Sequence, residues 1–474
     1  MNRSWSSEEI LKALKVKSAS VSSWNAMGIS TDSRTIVPGN IFLALSGDRY
    51  DGHNYVDEAF NNGASAAIIS RKIESIENKN FLLVSDTFDA LKDLAIHSRN
   101  TTKAKIIAIT GSVGKTTTKE LLYLSLKNQF KVFKSEGNLN NHIGVPLSMA
   151  RMPVESDFAI FELGMNKSGE IRNLSNLLKP NYSLITSVEA AHLEFFKSID
   201  SIADAKSEII EETQKNGVAI LNKDSAYFEK LFLKAKRNEL KVISFSTKEK
   251  SDVKLVNHIS HEDYSCVKIN IFDQLIAVKI GVPGDHFVQN ALSVLALVYS
   301  VGGDLSLAGI CLADIKPVVG RGNRVELKIN DGKAILIDES YNASPASMRL
   351  ALQTLGKIKK NKHSRKIAVL GDMLELGEES VTFHESLMSD ITKSGIDIVF
   401  SSGKYMHYLN KILPDNIKKF WSLDISELTN LIISELKPDD IIMLKGSHGS
   451  KINLIVNKLE DFYQQKNNLK RVIN

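Results

Sequence analysis

A glycine-rich loop between two regular elements constrains the fold of this chain more than any other feature. Lys105–Thr110 is a short run rich in isoleucine, which predicts a buried strand. The segment T-G-S-V-G-K-T-T-T (Thr110–Thr118) follows that strand at once and opens a predicted helix. A strand, a glycine turn and a helix in this order are typical of an open α/β sheet with parallel strands.

The residue types in this loop suit a polyphosphate. Backbone N–H groups of the loop and of the helix start can surround phosphate oxygens. Lys115 can reach the β- and γ-phosphates of a nucleotide, and Thr116 can place its hydroxyl on Mg²⁺. The general pattern has a further glycine where this chain has Ile109, so a plain glycine turn before a helix is the alternative.

Length and the alternation of strands with helices predict three α/β domains. A chain of 474 residues is too long for a single core. Residues 1–85 predict a small α/β domain, and residues 86–317 predict a mostly parallel sheet that carries the glycine loop. Residues 318–474 predict a second sheet of the Rossmann type, after a hinge at Gly320–Arg324.

The individual elements follow from apolar runs and turn residues. In the first domain we expect strands at Ile41–Leu45 and Ala66–Ser70 and a helix at Tyr55–Asn62. In the second we expect strands at Phe158–Glu162, Tyr182–Thr186 and Val218–Asn222, an antiparallel segment at Val253–Val282, and helices at Asp86–Arg99, Glu170–Leu178, Ser201–Thr213 and His286–Val301. In the third we expect strands at Ala334–Asp338, Lys366–Leu370, Asp397–Ser401 and Asp440–Leu444.

Composition indicates a cytoplasmic enzyme. The formal charge is +5, from 60 basic and 55 acidic residues, which gives no reason to expect a nucleic-acid partner. Cys266 and Cys311 are far apart, so we expect neither a disulfide nor a zinc site, and a reducing compartment fits. The N-terminus has no apolar leader, and the longest apolar stretch, Val288–Val301, is too short to span a bilayer.

Three further residues with chemical potential follow predicted strands of the central domain. Glu162 ends one strand, His192 follows the next, and Lys206 lies on the helix after that. The carboxyl edge of an open α/β sheet is where ligands bind, so the three side chains can meet the phosphate loop there. Taken singly, each has another interpretation: a solvated carboxylate, a structural histidine and a surface lysine.

Together with the loop, these segments resemble the Mur ligases over essentially the whole chain. The matching segments are T-G-S-V-G-K-T-T-T-K-E, G-N-L-N-N-H-I-G-V-P-L, F-E-L-G-M-N, A-A-H-L-E, A-K-S-E-I, H-F-V-Q-N-A-L-S-V-L-A and G-R-G-N-R. The resemblance implies that ATP and Mg²⁺ are used. It implies ATP contacts from Gly111, Ser112, Val113, Gly114, Lys115, Thr116, Thr117, Asn290, Arg321, Asp338 and Asn342.

The resemblance also implies metal and catalytic roles. Thr116 and Glu162 would hold the Mg²⁺ that accompanies ATP, and His192 would help to hold a second Mg²⁺. Lys206 would carry a carbamate derived from CO₂. Burial and nearby cations lower the pKa of a lysine, and the neutral amine can then take up CO₂. Lys115, His192 and Lys206 are therefore the expected catalytic residues.

The N-terminal segment resembles a domain that binds a UDP-sugar. It contains S-T-D-S-R (Ser30–Arg34) and P-G-N-I-F-L-A-L-S-G-D-R-Y-D-G-H (Pro38–His53). We expect substrate contacts from Thr31, Ser33, Arg34 and Asp51, whose hydroxyl, guanidinium and carboxylate groups suit a nucleotide sugar. Taken alone, T-D-S-R could also be a simple turn.

The third domain resembles the family member that adds a dipeptide. I-D-E-S-Y-N-A-S-P-A-S-M (Ile337–Met348), V-L-G-D-M-L-E-L-G-E (Val369–Glu378) and L-K-G-S-H-G-S-K (Leu444–Lys451) carry this likeness. It implies that D-alanyl-D-alanine is joined to a UDP-muramoyl tripeptide through an acyl phosphate. We expect a monomer, and the sequence leaves the oligomeric state open. His448, Ser344 and Glu339 depart from the expected pattern.

Several alternatives stay open at this point. The tripeptide could end in lysine or in diaminopimelate. Another ligase of the superfamily, of the folylpolyglutamate or cyanophycin type, is the nearest alternative, but T-D-S-R and L-G-D-M-L-E-L-G-E disfavour it. The third-residue-adding ligase shares the T-D-S-R block, and it is disfavoured by the third-domain motifs and by the absence of D-N-P-R. A non-catalytic protein that binds UDP-muramoyl peptides is disfavoured by the intact candidate residues. A simple phosphate-loop kinase would need neither Lys206 nor a third domain.

Overall fold

The computed structural model describes residues 3–19, 23–47, 50–317, 319–329, 332–361 and 363–473. Val318, the predicted first residue of the third domain, lies outside the described residues. Within the described ranges, the strands form four sheets of two, five, nine and six strands. Because each of the three large sheets comes from one continuous part of the chain, the α/β architecture predicted from the sequence is confirmed. The exact domain limits stay a prediction.

The first sheet is small and mainly parallel. Its region contains β1 (Trp5–Ser6), α1 (Ser7–Ala13), β2 (Ser18–Ala19), β3 (Asn25–Ala26), β4 (Ile29–Ser30), β5 (Ile41–Leu43), α2 (Val56–Asn61), β6 (Ala66–Ile69), β7 (Phe81–Leu83) and α3 (Thr87–Thr101). The strand order is β2-β7-β6-β5-β4, with β2 antiparallel to β7 and the other pairs parallel. β1 and β3 form a separate antiparallel pair.

The central sheet carries the glycine loop. Its region contains β8 (Lys105–Thr110), α4 (Lys115–Leu126), β9 (Val132–Lys134), α5 (Gly144–Arg151), β10 (Phe158–Glu162), α6 (Glu170–Leu178), β11 (Tyr182–Ile185), α7 (Ile199–Glu211), β12 (Val218–Asn222), α8 (Phe228–Arg237), β13 (Lys241–Ser246), β14 (Val253–Ser260), β15 (Ser265–Ile271), β16 (Gln274–Ile280), α9 (Asp285–Ser300) and α10 (Leu305–Ala313). The strand order is β16-β15-β14-β13-β12-β11-β8-β10-β9. The pairs from β9 to β14 are parallel, and β14–β16 are antiparallel.

The third sheet is again mostly parallel. Its region contains β17 (Asn323–Ile329), β18 (Gly332–Asp338), α11 (Pro345–Lys357), β19 (Lys366–Gly371), α12 (Ser380–Lys393), β20 (Ile398–Ser402), α13 (Met406–Ile412), β21 (Lys418–Trp421), α14 (Ile425–Glu435), β22 (Ile441–Lys445) and α15 (Ile452–Ile473). The strand order is β17-β18-β22-β19-β20-β21, and β17–β18 is the antiparallel pair.

Strand register brings the candidate site residues to one edge of the central sheet. β8 lies between β10 and β11, and Glu162 at the end of β10 pairs with Ile109. Ile185 at the end of β11 pairs with Thr110. β8, β10 and β11 are buried on both faces apart from the first residue of β8, as expected for central parallel strands covered by helices. The glycine loop, the segment after Glu162 and the segment after β11 therefore leave the sheet side by side.

Apolar periodicity located the main elements but not all of the strands. Nine of the strands in the described residues were not predicted: β1–β4, β7, β9, β13, β17 and β21. Val253–Val282 is an extension of the main sheet because β14 pairs with β13. The predicted hinge is partly strand, since β17 begins at Asn323 and pairs with β18. Short edge strands carry little periodic signal, and sheet membership depends on contacts that sequence spacing does not reveal.

Candidate active site

A cleft of about 680 Å³ opens at the carboxyl edge of the central sheet. Residues of the third sheet region form its opposite wall. From the central region it is lined by Ser112, Val113, Gly114, Lys115, Thr116, Thr117, Asn140, Glu162, Glu189, His192, Lys206, His286 and Asn290. From the third region it is lined by Gly320, Arg321, Glu339, Tyr341, Asn342, Ser344, Glu375, Lys445 and His448. Sequence reasoning placed most of the expected ATP and metal residues together, and the structure brings them to this cleft.

Two glycines of the phosphate loop occupy positions that no other residue fits. Gly111 has a φ of +149°, and a Cβ there would lie 1.9 Å from the Thr186 hydroxyl oxygen. Gly114 has a φ of +89°, and a Cβ there would lie 2.7 Å from Asn290 Oδ1. Glycine is therefore required both by the backbone and by close neighbours. Asn290 on α9, one of the expected ATP contacts, is packed against the loop itself.

The loop is fixed by the segment that follows β11. The Ser112 N–H donates to the Ser187 carbonyl (2.9 Å), and the Val113 N–H donates to the Ser187 hydroxyl (3.0 Å). Lys115 donates from Nζ to the carbonyl of Gly111 at 2.7 Å, across the loop. Helix α4 begins at Lys115, so its first-turn N–H groups and dipole face the cleft and favour an anion there.

Thr116 and Glu162 form a buried pair at the base of the loop. The Thr116 hydroxyl donates to Glu162 Oε2 at 2.7 Å, and Glu162 is 2% exposed. The other carboxylate oxygen accepts from Asn140 Nδ2 at 2.8 Å. Lys119, fully buried behind the loop, lies 4.0 Å from Glu162 Oε2. From the third region, Arg321 Nη2 donates to the Thr116 hydroxyl oxygen at 3.1 Å.

Lys206 is a buried amine that the surrounding residues leave unpaired. Its side chain is on α7, is 2% exposed, and makes no hydrogen bond or ion pair with the described residues. Burial lowers the pKa of Lys206 well below the ordinary lysine value, and the nearby Lys115 ammonium adds to this. The pKa of Lys115 is also lowered, first by removal from water. The surface-lysine alternative for Lys206 is therefore wrong.

Lys206 shares its helix with a carboxylate that has a structural partner. Glu208 is 2% exposed and accepts from the Gly169 N–H (2.7 Å), the Ser168 hydroxyl (3.1 Å) and the Arg172 N–H (3.0 Å). These N–H groups belong to the start of α6, so Glu208 caps that helix. The segment A-K-S-E-I thus combines an amine without a described partner and a carboxylate whose two oxygens both accept hydrogen bonds.

His192 meets a carboxylate of the third region. Its Nδ1 lies 2.5 Å from Glu375 Oε2, and the Glu194 N–H donates to the Glu375 carbonyl at 3.0 Å. The hydrogen bond with His192 lowers the pKa of Glu375 below its ordinary value. The two residues are 183 positions apart in the sequence. Glu375 lies within L-G-D-M-L-E-L-G-E, which the sequence analysis used as a substrate signature without assigning this contact.

The third region contributes a buried charged cluster next to Arg321. Asp338 is 4% exposed and accepts from the Gly320 N–H (2.9 Å) and from both the N–H and the hydroxyl of Ser340 (3.0 and 2.5 Å). Lys445, 3% exposed, donates to the Asn342 carbonyl at 3.0 Å, and burial lowers its pKa. Asp338 therefore shapes the turn that presents Arg321.

Arg321 is held between the two regions. Its guanidinium carbon lies 4.2 Å from the centre of the Tyr341 ring. A second contact between the regions is made by Arg324, whose Nη1 donates to Asp263 Oδ1 at 2.8 Å. Arg321 reaches the phosphate loop, while Arg324 fixes the rim of the third region against the β14–β15 connection.

The three departures from the expected pattern have different surroundings. Ser344 caps α11, since its hydroxyl accepts from the Ser347 N–H. Glu339 lies 3.5 Å from Lys445 Nζ through Oε2. His448 is exposed on the cleft wall. Ser344 thus has a structural role as the N-cap of α11, whereas Glu339 and His448 line the cleft.

The four N-terminal candidates do not line this cleft. The Ser33 hydroxyl donates to Glu58 Oε2 at 2.9 Å, and Arg34 donates twice to Asp32, at 2.9 and 2.7 Å. Thr31 is half-buried just before that turn. The T-D-S-R segment is thus a turn in which Asp32 accepts from the Arg34 N–H, and its turn geometry leaves the Arg34 side chain exposed.

Asp51 is also paired within the first region. It contacts His53 Nδ1 at 2.6 Å and accepts from Arg71 Nη2 at 3.1 Å. The pKa of Asp51 is lowered to about 2, first because the His53 backbone N–H donates to the carboxylate. Its role in binding a UDP-sugar stays a prediction.

Sequence reasoning missed several residues that line the cleft or lie directly behind it. Asn140, Lys119 and Glu375 all lie in segments that were quoted for their likeness, G-N-L-N-N-H, T-T-T-K-E and L-G-D-M-L-E-L-G-E, without a role for these side chains. Lys445 lies in L-K-G-S-H-G-S-K. Membership in these motifs was therefore the signal that could have identified the four residues. The sequence carried no information about which side chains they contact.

The donor set of the cleft suits Mg²⁺ that is shared with phosphate oxygens. Among the described residues, no group of three or more His, Cys, Asp or Glu side chains is placed to hold a metal ion by itself. Mg²⁺ keeps several waters and commonly takes one or two protein oxygens together with substrate phosphates. The Thr116 hydroxyl and the Glu162 carboxylate, 2.7 Å apart beside the phosphate loop, meet that requirement.

Comparison with known proteins decides the family. Three family models match in succession: the Mur ligase family catalytic domain over residues 25–99, the Mur ligase middle domain over 109–298, and the Mur ligase glutamate ligase domain over 321–448. The UDP-N-acetylmuramoyl-tripeptide–D-alanyl-D-alanine ligase of Rickettsia prowazekii is 36% identical over 461 residues, covering 97% of this chain and 100% of that protein. The chain belongs to the Mur ligase family.

Solved structures agree with this Mur ligase membership. A crystal structure of MurF from Acinetobacter baumannii has a TM-score of 0.84 at 30% identity, covering 97% of this chain and 99% of that one. The MurF ligase of Thermotoga maritima, in complex with ADP, has a TM-score of 0.77 at 28% identity and covers 93% of this chain and 99% of that one. The family and the three-part α/β fold expected from the sequence are confirmed. No helix among the described residues is long and apolar enough to cross a membrane.

Proposed function

We propose that this Mur ligase adds D-alanyl-D-alanine to a UDP-N-acetylmuramoyl tripeptide, with ATP converted to ADP and phosphate. The observation that carries the proposal is the shared cleft, where the phosphate loop, the Thr116–Glu162 pair and Lys206 face the third region. Relatives named for this activity in Rickettsia prowazekii and Escherichia coli, 36% and 34% identical, support the same conclusion.

ATP is the proposed phosphate donor, and the cleft residues provide its contacts. The first-turn N–H groups of α4 and the Lys115 ammonium bind the phosphates, and Arg321 adds a second cation from the third region. Asn290, Asp338 and Asn342 shape the remainder of the nucleotide site. The Thermotoga maritima relative was solved in complex with ADP, which supports binding of an adenine nucleotide by this chain.

Two Mg²⁺ ions are proposed, one held by Thr116 and Glu162 and one held with the help of His192. When bound, they neutralise charge on the phosphates and on the carboxylate that is phosphorylated. Removal of the Arg321–Thr116 hydrogen bond frees the hydroxyl oxygen of Thr116 as a ligand. Asn140 holds Glu162 through its other oxygen and so keeps the carboxylate aimed at the loop.

Lys206 is proposed to carry a carbamate. A neutral amine adds to CO₂ with loss of one proton, which converts a buried, unpaired base into an anion. Burial, and then the Lys115 ammonium, lower the pKa of Lys206 well below the ordinary lysine value, which favours the neutral amine. The resulting carbamate would place an anion near the Lys115 ammonium, in a cleft where Mg²⁺ would bind.

The proposed reaction needs activation because a carboxylate does not acylate an amine in water. The terminal carboxylate of the tripeptide attacks the γ-phosphorus, an acyl phosphate forms and ADP leaves. Lys115 and Arg321 stabilise the negative charge of the transferred phosphoryl group. The amine of the dipeptide then attacks the acyl carbon, and phosphate leaves as the amide forms. Closure of the third region on the central region would limit the access of water to the acyl phosphate.

The first region is proposed to bind the UDP-sugar through Thr31, Ser33, Arg34 and Asp51. The exposed Arg34 guanidinium can exchange its Asp32 partner for a diphosphate, which accepts two parallel hydrogen bonds in the same way. We further propose domain limits of 1–85, 86–317 and 318–474, a monomeric protein, a cytoplasmic location, and no nucleic-acid or membrane partner.

A phosphate-release assay tests the proposal. Purified protein is given ATP, Mg²⁺ and a UDP-muramoyl tripeptide that ends in lysine or in diaminopimelate, with and without D-alanyl-D-alanine. We expect phosphate and ADP when the tripeptide and the dipeptide are both present. AMP and pyrophosphate as products would contradict the acyl-phosphate route. Efficient turnover of a UDP-muramoyl dipeptide with a single amino acid would assign the protein to the preceding step.

A further inference from the structure

The contact between His192 and Glu375 joins two regions through a pair of unusual backbone conformations. His192 has a φ of +60° and Glu375 has a φ of +64°. Neither residue is glycine, so both positions are strained relative to ordinary L residues. Such strain persists when surrounding contacts hold it in place, and here the two residues hold each other.

The contact extends beyond the His192–Glu375 pair, because the two loops also share a backbone hydrogen bond and a close approach. The Glu194 N–H donates to the Glu375 carbonyl at 3.0 Å. Gly377 lies so close that a Cβ on it would be 3.3 Å from Glu194 Cα, and its φ is +63°. The loop after β19 of the third region is therefore shaped to lie against the loop after β11 of the central region.

The geometry at His192 selects one ring nitrogen. Glu375 Oε2 is 2.5 Å from Nδ1, so a carboxylate there accepts the Nδ1 proton. Nε2 makes no hydrogen bond to another described residue, and His192 lines the cleft. An imidazole with a proton fixed on Nδ1 presents the Nε2 lone pair, which is the arrangement found in metal-binding histidines supported by a carboxylate.

We propose that Glu375 is a positioning residue that orients His192 toward the second metal ion. The third region thereby completes the metal site of the central region, because Glu375 arrives with the loop that docks on His192–Glu194. This inference rests on the proposed function for the presence of that metal site. It does not depend on the identity of the peptide substrates.

Mn²⁺ binding tests this role directly. Binding of Mn²⁺ to the full-length protein with ADP is followed by electron paramagnetic resonance for the wild type, Glu375→Ala and Glu375→Gln. Glu378→Gln is the matched control, because it removes an exposed carboxylate from the same segment. We expect two classes of Mn²⁺ site in the wild type and in the control. In Glu375→Ala, one class of site, the one that includes His192, should lose about 10- to 100-fold in affinity while the other is unchanged.

Two further readouts separate positioning from simple loss of structure. Glu375→Gln should be intermediate, because its amide oxygen still accepts the Nδ1 proton but lacks charge. In phosphate release, Glu375→Ala should raise the Mg²⁺ concentration needed for half-maximal rate, while the rate at saturating Mg²⁺ should largely recover. Melting temperatures of all variants are compared without metal, so that any loss of docking between the two regions in Glu375→Ala is measured apart from the loss of metal affinity.

The outcomes distinguish the role of Glu375 from the proposed ligase function. Equal Mn²⁺ affinities in Glu375→Ala and Glu378→Gln would overturn the role of Glu375, as would a wild-type protein that binds a single Mn²⁺ ion. Failure of the wild type to ligate the tripeptide would contradict the proposed function. The Mn²⁺ comparison uses no peptide substrate and would still decide the role of Glu375.

Discussion

Replacing Lys206 by methionine should make the ligand-free protein more stable and nearly abolish its activity. Lys206 is 2% exposed and has no described partner for its amine. A buried polar group without a partner costs about 1–3 kcal/mol in proteins. Methionine has a similar unbranched shape and no polar group to bury. We therefore expect Lys206→Met to raise the free energy of unfolding by about 1–2 kcal/mol when metal and CO₂ are absent.

The same substitution removes the proposed carbamate from the cleft. Loss of an anion that supports a metal site should lower the rate of phosphate release by about 100-fold or more. The assay compares Lys206→Met with Lys115→Ala, which we expect to be inactive, and with Lys215→Met at a side chain that is 79% exposed. In Lys206→Ala, which leaves space in the cleft, short-chain carboxylic acids should partly restore the rate.

Two results would refute this reasoning about Lys206. Near-normal phosphate release in Lys206→Met would exclude a carbamate role. A fall in stability together with the fall in activity would show that Lys206 supports the fold, so the loss of rate would say nothing about chemistry. Urea denaturation and phosphate release on the same samples decide between these outcomes.

Three further predictions concern other regions. Gly111→Ala should weaken ADP binding at least about 10-fold by calorimetry, because its Cβ would lie 1.9 Å from the Thr186 hydroxyl oxygen. Gly137→Ala, which also has a positive φ but has open space around it, should leave the affinity for ADP unchanged. Asp51→Asn should lower the free energy of unfolding by about 1 kcal/mol at pH 7, allowing for a carboxylate that is one-third exposed. Folding lowers the pKa of Asp51 from 3.8 to about 2, so this stabilisation should be complete above about pH 4 and should vanish as the pH falls through 2. A constant cost across a pH series would contradict this prediction. Arg324→Ala should change the free energy of unfolding by less than about 0.5 kcal/mol, since Asp263 is 79% exposed, and a larger loss would show that this contact is more than a surface pair.

The sequence predicted the carboxyl edge of the central sheet well because its signals are local. The isoleucine-rich β8, the glycine loop and the start of α4 lie within fourteen residues, Lys105–Thr118. Glu162 follows from the same logic, since it ends a buried strand next to β8. Parallel strands leave a sheet at one edge, so residues that end such strands meet without any knowledge of loop paths.

Contacts between regions could not be predicted in the same way. Arg321 and Thr116 are 205 positions apart, and no periodicity relates them. The Ser33 hydroxyl was expected to serve a ligand but donates to Glu58, a residue on a helix whose packing angle the sequence does not specify. The partners of these side chains are set by tertiary packing. The sequence motifs were therefore recognised, whereas the Arg321–Thr116 and Ser33–Glu58 hydrogen bonds were not predicted.

Helix α7 carries two buried residues, Lys206 and Glu208, whose replacement should have different consequences. Glu208 ties the start of α6 to the core, whereas Lys206 turns an unpaired amine toward the cleft. In a growth selection on a library of variants, losses at Glu208 should be recovered at lower temperature or by stabilising changes elsewhere, because the defect is one of folded fraction. Losses at Lys206 should persist under the same conditions. A single short helix can therefore report separately on the abundance of this ligase and on its chemistry.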